Sequence, residues 1–236
     1  MNVFIVHAHP EPKSFNGALT RVARETLTAA GHAVKISDLY AMQWDPVSDR
    51  RNFATVANAD YFKQQTEEMR ASEAGGFAPD IEQEMEKLAW CDVLIFQFPL
   101  WWFGLPAILK GWVDRVFAMG RVYGGGKWYD DGAFRGKRAM LSLTTGGPES
   151  IYSDTGLNGE IHGILFPINH GILRFTGFDV LPPFIVWGPS RAGDEGRKAW
   201  LEAYRERLRA LETTEPIRYP SLRDYDETFR LKRASE

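Results

Sequence analysis

Cysteine is nearly absent from this chain of 236 residues: Cys91 stands alone. A single thiol excludes an intrachain disulfide and makes a reducing compartment, the cytoplasm, the expected home. The five histidines and that thiol form no cluster at ligand spacing, so no metal site is expected. A basic excess is missing too, because 28 Lys and Arg meet 31 Asp and Glu for a net charge of −3. That excludes the electrostatic footprint of a nucleic-acid binder. The opening segment Met1–His7 has no basic n-region, and no signal peptide is expected. The longest uncharged stretch, Val93 to Leu109, falls short of a membrane span and is broken by Pro99, Gly104 and Pro106, so membrane insertion is not expected. Neither GxGxxG nor a Walker loop occurs. Gly124-Gly125-Gly126-Lys127 lacks the Ser or Thr after lysine and follows no strand, so it is set aside as a phosphate loop.

What the chain has is aromatic weight and short apolar runs. Eight tryptophans suit a core, an interface or a flat ligand, and composition does not choose among them. Val3–Val6, Val93–Phe98, Ala139–Thr144 and Val180–Val186 are continuous apolar blocks, the pattern of parallel strands covered on both faces. Ala33–Ile36 is weaker and suits a place nearer the edge. Helical patterns occupy Phe15–Ala30, Pro79–Ala89, Pro106–Phe117 and Asp194–Leu211, with Ser14 as N-cap and Gly31 as stop for the first. This alternation predicts right-handed βαβ units and a doubly wound five-stranded parallel sheet with helices on both faces, of flavodoxin-like order 2-1-3-4-5 or as half of a larger sheet. Residues 41–78 and 147–176 break the rhythm. The first is a polar excursion with some helix near Ala59–Ala71, and the second is rich in Gly, Asn and aromatics. Residues 1–212 are read as the domain and 213–236 as a polar C-terminal arm.

Ligands in such folds sit at the carboxyl ends of the strands. After the first strand, His9, Lys13, Ser14, Phe15 and Asn16 bring imidazole, ammonium, hydroxyl and amide groups to a helix N-terminus, a workable anion cradle. An ordinary capped loop would look the same. After the third, Pro99, Leu100, Trp101, Trp102 and Phe103 place three adjacent aromatics in a loop, either a shelf for a planar ring or a local core plug. After the fourth, Thr144, Thr145, Gly146 and Gly147 let backbone approach a ligand closely, or form a plain turn. Together these ends suit a planar phosphorylated cofactor, with flavin the natural candidate.

The same stretches resemble the NAD(P)H:quinone oxidoreductases, the DT-diaphorase family of flavodoxin-like flavoproteins. The similarity is carried by His9 through Asn16, Ser37-Asp38-Leu39-Tyr40-Ala41-Met42, Phe96 to Leu100 continuing to Trp112, Thr144 to Gly147, Tyr152-Ser153, Gly171-Ile172-Leu173 and Gly177-Phe178. It implies a homodimer with FAD, rather than FMN, near the subunit interface, with NAD(P)H as donor and a quinone as acceptor in a ping-pong hydride transfer. His9, Ser14, Phe15 and Asn16 would hold the pyrophosphate and ribityl region, with Lys13 adding a cation. Pro99, Leu100, Trp102 and Phe103, with Thr144 to Gly147, would hold the isoalloxazine. Trp101 stands at a family glutamine position, and Arg197 matches an arginine near the adenine end. Tyr152 falls on the tyrosine that stabilises charge on reduced flavin, and Tyr123 and Phe175 match aromatics of the nicotinamide and quinone pocket, where Gly125 replaces a tyrosine.

The family's histidine partner to that tyrosine is Asn158 here. Asparagine donates a hydrogen bond but takes up no proton near neutral pH, so a flatter pH dependence is expected. His162 is a substitute if its segment is helical. The chain also stops before the longer C-terminal extension of mammalian members. Alternatives are a flavin-binding regulatory subunit of a membrane transporter and a reductase of nitro or azo compounds. A one-electron shuttle is disfavoured, because such carriers are smaller and strongly acidic.

Overall fold

A computed structural model describes residues 1–232. Strand β1 (Asn2–His7) lies between β2 (Ala33–Asp38) and β3 (Val93–Pro99), and β4 (Arg138–Thr144) follows β3; every pairing is parallel. The edge beside β4 is shared by β5 (Asp179–Val180) and β6 (Phe184–Val186), giving the order β2-β1-β3-β4-β5 with β6 also on β4. The expected order stands, with one correction. The single strand expected over Val180–Val186 is cut in two. Four residues step from Val180 to Phe184 while three step from Ala139 to Ser142, so one extra residue bulges out. Pro182 and Pro183, which have no N–H to give the ladder, occupy the interruption.

The apolar strands divide between two cores. Val3, Ile5, Val93, Ile95 and Met140 face α1 (Phe15–Ala29) and α6 (Gly193–Arg209), packing with Leu19, Leu27, Tyr204 and Leu208. Phe4, Val6, Leu94, Phe96, Leu141 and Leu143 face α3 (Pro79–Trp90), α4 (Ala107–Val116) and α5 (Ile161–Ile168), around the fully buried Trp112. Burying each such side chain stabilises the fold by about 1.5–3 kcal/mol, so a sheet covered on both faces needs no polar alternation.

The remaining helices show why the two excursions were hard to read. Helix α2 (Gln64–Ala74) falls within the first, where the buried Glu67 carboxylate accepts the amides of Ala57 (2.6 Å) and Asn58 (3.1 Å) and pins the loop down. The second, rich in Gly, Asn and aromatics, contains α5, which runs on as a π-helical turn over Asn169–Arg174. Its apolar spacing at Ile161, Leu165 and Ile168 is helical, but Gly163, Pro167 and Gly171 masked it. Residues 213–232 cross the surface, tied by Arg138 to the carbonyls of Leu211 and Thr214, and by Asp130, which accepts from Arg174, Ser221 and Leu222. The last four residues of the expected arm, 233–236, lie outside the described residues. No helix among the described residues is long and apolar enough to cross a membrane.

Candidate functional site

The turn from β1 into α1 is braced from within. His9 Nδ1 accepts the Glu11 amide at 3.0 Å, Glu11 Oε1 accepts the Lys13 amide at 2.7 Å, and Arg21 donates to the Pro12 carbonyl at 2.9 Å. Because His9 Nδ1 is an acceptor, Nε2 carries the proton and is left as a donor. Ser14 caps α1, its Oγ accepting from Gly17 N at 3.1 Å. The amides of Phe15 and Asn16, first in the helix, have no acceptor among the described residues. Unmatched N–H groups at the positive end of a helix dipole attract a phosphate. Gly17 makes the turn fit, since a Cβ there would lie 2.3 Å from the Pro12 carbonyl oxygen.

Beneath this turn runs a buried relay of side chains. Gln97 Nε2 donates to Asn16 Oδ1 and Asn16 Nδ2 donates to Thr144 Oγ1, each at 2.9 Å, joining the ends of β3, α1 and β4. Gln97 Oε1 is buried with no partner among the described residues. Next to it on β1, burial lowers the His7 pKa against the opposing pull of Asp38, and Nδ1 lies 2.8 Å from Thr20 Oγ1.

One groove of about 380 Å³ gathers His9, Lys13, Ser14, Phe15, Asn16, Pro99, Thr144 and Arg197 from four separate stretches of sequence. Pro189 and Ser190 line it as well and were missed. They follow the last strand, where the rule about strand ends, applied once more, would have found them. Arg197 ion-pairs with Asp194 on its own helix while facing the groove.

Beside the groove the loop after β3 closes in a tight turn. Trp101 and Gly104 exchange backbone hydrogen bonds (3.3 and 3.0 Å), with Trp102 at φ +50° and Phe103 at φ +58° between them. Two bulky residues in the left-handed region store on the order of 1–3 kcal/mol each. Trp102 is 98 % exposed and Phe103 52 %, so burial does not compensate this strain. The Trp101 ring lies 6.1 Å from His9, at the groove's edge. Leu100 differs: its side chain belongs to the core, and its amide bonds the Thr144 carbonyl.

The double-glycine loop is only partly free. Thr145 N–H is taken by the Val186 carbonyl at 3.0 Å, and Thr145 Oγ1 donates to Gly147 O at 2.8 Å. The amides of Gly146 and Gly147 have no acceptor among the described residues, and a Cβ on Gly146 would meet nothing within 4 Å. Tyr152 packs against Trp187 at 5.5 Å, 8 % exposed. Asn158 shares its loop, donating its amide to Ile151 O at 2.8 Å. His162 is no stand-in for it. Helix α5 starts only at Ile161, capped by Glu160, so Asn158 and His162 do not share a helix face, and the exposed His162 ring lies 3.9 Å from Glu160.

Tyr123 and Phe175 are not brought to the groove. Their rings, 6.0 Å apart, line a separate pocket of about 320 Å³ with Gly124, Gly125, Gly126, Lys127 and Trp128. The two pockets share no residue.

A parallel sheet of order 2-1-3-4-5, with an aromatic turn and unmatched amides at its carboxyl edge, has the flavodoxin-type architecture. A family model described as flavodoxin-like fold matches residues 1–211. The chain is 44 % identical over 216 residues to the human ribosyldihydronicotinamide dehydrogenase [quinone], covering 91 % of this chain and 94 % of that one. It is 40 % identical over 226 residues to the guinea pig (Cavia porcellus) NAD(P)H dehydrogenase [quinone] 1, covering 95 % and 82 %. A crystal structure from Klebsiella pneumoniae, assigned as a quinone reductase, superposes with a TM-score of 0.95 at 42 % identity, covering 98 % of this chain and 94 % of that one. The chain belongs to the NAD(P)H:quinone oxidoreductase family of flavodoxin-like proteins.

Proposed function

We propose that the protein is a flavin-dependent oxidoreductase that reduces quinones with a dihydronicotinamide donor, acting as a homodimer with FAD. The observation that carries the reading is the groove, where the unmatched amides of Phe15 and Asn16, His9 Nε2–H and Lys13 converge beside an exposed, strained aromatic turn. The residues present fit the group: donors and cations suit a pyrophosphate, and the open space at Gly146 beside free amides suits a ring edge. Bound flavin would supply two-electron redox chemistry between the nicotinamide donor and the quinone.

The chain's own residues supply binding and electrostatics. Phe15, Asn16, His9 and Lys13 bind the phosphates, and Arg197 favours the adenylate of FAD over FMN. Gly146 and Gly147 N–H, with the Tyr152 hydroxyl, stabilise negative charge at the ring edge, as preorganised donors do in a site shielded from water. Trp102 and Phe103 cover the ring and exclude water, and Asn158 donates a hydrogen bond without moving a proton. Tyr123 and Phe175 complete the substrate pocket from a second copy. Support comes from their separation from the groove within one chain, and from the exposed Trp102 and Leu157 that a partner would cover.

An anaerobic titration tests this. Purified protein loaded with FAD receives NADPH, NADH or dihydronicotinamide riboside, then menadione, while flavin absorbance is followed. Bleaching by a donor and prompt recovery with menadione is the expected result. Bleaching without recovery points to another acceptor, such as nitro or azo compounds, or to a regulatory role. No flavin uptake overturns the reading.

A further inference from the structure

The pocket around Tyr123 and Phe175 contains one feature that the quinone-reductase reading leaves unused. Residues 124 to 126 are three glycines in succession, at φ +100°, +61° and +85°, a run that only glycine adopts without strain. The loop closes on itself, Lys127 N–H reaching Gly124 O at 3.2 Å. A Cβ on Gly125 or Gly126 would meet nothing within 4 Å among the described residues, so this side of the pocket is bare backbone and open to a ring. The wall then ends on Lys127, followed by Trp128.

Lys127 is exposed and forms no ion pair among the described residues. Two acids of the neighbouring segments are engaged elsewhere, and the exposed Asp131 forms no ion pair with it. Glu68 is buried under the Met119 amide (2.7 Å) and Gln64 (2.8 Å), with the Tyr123 hydroxyl at 3.5 Å, and Asp130 is held by Arg174, Ser221 and Leu222. An ammonium on a flexible four-carbon stem thus borders an aromatic wall while paired with no carboxylate among the described residues. Contact with the Tyr123 and Phe175 rings, which lie 6.0 Å apart and tilted against each other, rewards any planar ring laid on them, whereas the cation rewards one that carries negative charge.

We infer that Lys127 makes this pocket selective for aromatic substrates bearing a pendant anion, a sulfonate, carboxylate or phosphate. The inference rests on the reading of Tyr123 and Phe175 as the substrate pocket. Such a charge can belong to the acceptor, an acidic quinone, or to the donor, whose 2′-phosphate separates NADPH from NADH. Lys127 is a specificity residue: the reacting atoms stay with the ring, and the ammonium selects which ring enters.

The test compares the FAD-loaded wild type with Lys127→Gln and Lys127→Glu at low salt and at 1 M salt, where charges are screened beyond about 3 Å. One arm measures the ratio of kcat/KM for 1,4-naphthoquinone-2-sulfonate to that for menadione. A second measures the ratio for NADPH to NADH. A third needs no turnover: the dissociation constants of the sulfonate and of menadione are read from tryptophan fluorescence quenching, because Trp128 lines the pocket. The expected result is a fall of about fivefold in the sulfonate ratio for Lys127→Gln, the range of a partly exposed charge pair, more for Lys127→Glu, and a loss of the difference at 1 M salt. A fall confined to the NADPH ratio assigns the anion to the donor. Ratios within twofold of wild type in every arm, binding included, overturn the inference. Quinone reduction absent from all three proteins overturns the functional reading instead, and the binding arm still decides the role of Lys127.

Discussion

Alanine at position 17 should destabilise a helix that alanine would ordinarily improve. Gly17 sits in the first turn of α1, and Gly→Ala in a helix interior gains about 0.8–1 kcal/mol of propensity. Its backbone raises no conformational objection, because φ is not positive. The objection is steric. The new Cβ would lie 2.3 Å from the Pro12 carbonyl oxygen, against 3.4 Å for ordinary contact, so that carbonyl must retreat by about 1 Å. It cannot do so freely, since Arg21 holds it at 2.9 Å and the Ser14 amide ties the adjacent Glu11 carbonyl at 3.0 Å. Overpacking of this kind costs about 1–3 kcal/mol. Set against the propensity gain of about 0.8–1 kcal/mol, the net loss is about 0–2 kcal/mol, towards the upper end because the contact is so short. For a chain of this size the corresponding fall in Tm is up to about 8 °C. The displaced segment also holds His9 and Lys13, so FAD affinity should fall about tenfold in the same variant, read by quenching of flavin fluorescence. A Tm that rises by 2–4 °C with unchanged FAD affinity would refute both the tight turn and its role as a phosphate cradle.

Trp102→Gly relieves a left-handed backbone on a side chain that is 98 % exposed. It should raise the Tm of the apoprotein by about 2–4 °C while weakening FAD binding two- to tenfold, a trade of stability against function; a lower Tm argues against strain in that turn. Asn16→Ala removes the middle of the Gln97–Asn16–Thr144 relay and leaves the Gln97 amide, whose Oε1 already lacks a partner, wholly unsatisfied. The expected loss is about 2–4 kcal/mol, a Tm lower by roughly 5–15 °C in a thermal melt, and a loss under 2 °C would show that the relay is dispensable. His7 has its pKa lowered by burial, so the unfolded chain binds a proton at a pH where the native chain does not. Stability is therefore full above the ordinary histidine pKa and declines as pH falls through it. Urea melts should show less stability at pH 5 than at pH 7, and His7→Asn should flatten that slope; a slope unchanged by the substitution would assign it to other groups. Asn158→His should introduce a titration near neutral pH into the rate of quinone reduction, and an unchanged pH–rate profile counts against a charge-stabilising place for this residue.

Much of the frame was legible because the strands signal it locally. Val3–Val6, Val93–Phe98 and Ala139–Thr144 are too apolar to face water on either side, and the turn and cap residues at Ser14, Gly31 and Pro79 punctuate the helices between them. The split of the edge strand was foreshadowed by Pro182-Pro183, but whether a proline pair ends a strand or only bulges it depends on the partner strand continuing alongside. Helix α5 stayed hidden because Gly163, Pro167 and Gly171 oppose helix locally. Its apolar face is stabilised by the core formed with α3 and α4, which no local window contains.

The candidate site divides in the same way. Residue types and their positions after strands named the groove's lining, because any parallel sheet delivers those ends to one edge. Which atoms are free there was decided only by tertiary contact. Thr145 loses its amide to Val186, Leu100 turns its side chain into the core, and Asn16 is locked between Gln97 and Thr144. His162 lies in the helix that starts at Ile161, whereas Asn158 lies in the loop before it, so the two do not share a helix face. The sequence by itself determined the central strands, the alternation with helices and the strand ends that line the groove, since burial and backbone chemistry act along the chain. The folded structure decided the hydrogen-bond inventory and the separation of Tyr123 and Phe175 from the groove, because partners distant in sequence compete for the same donors and the same space.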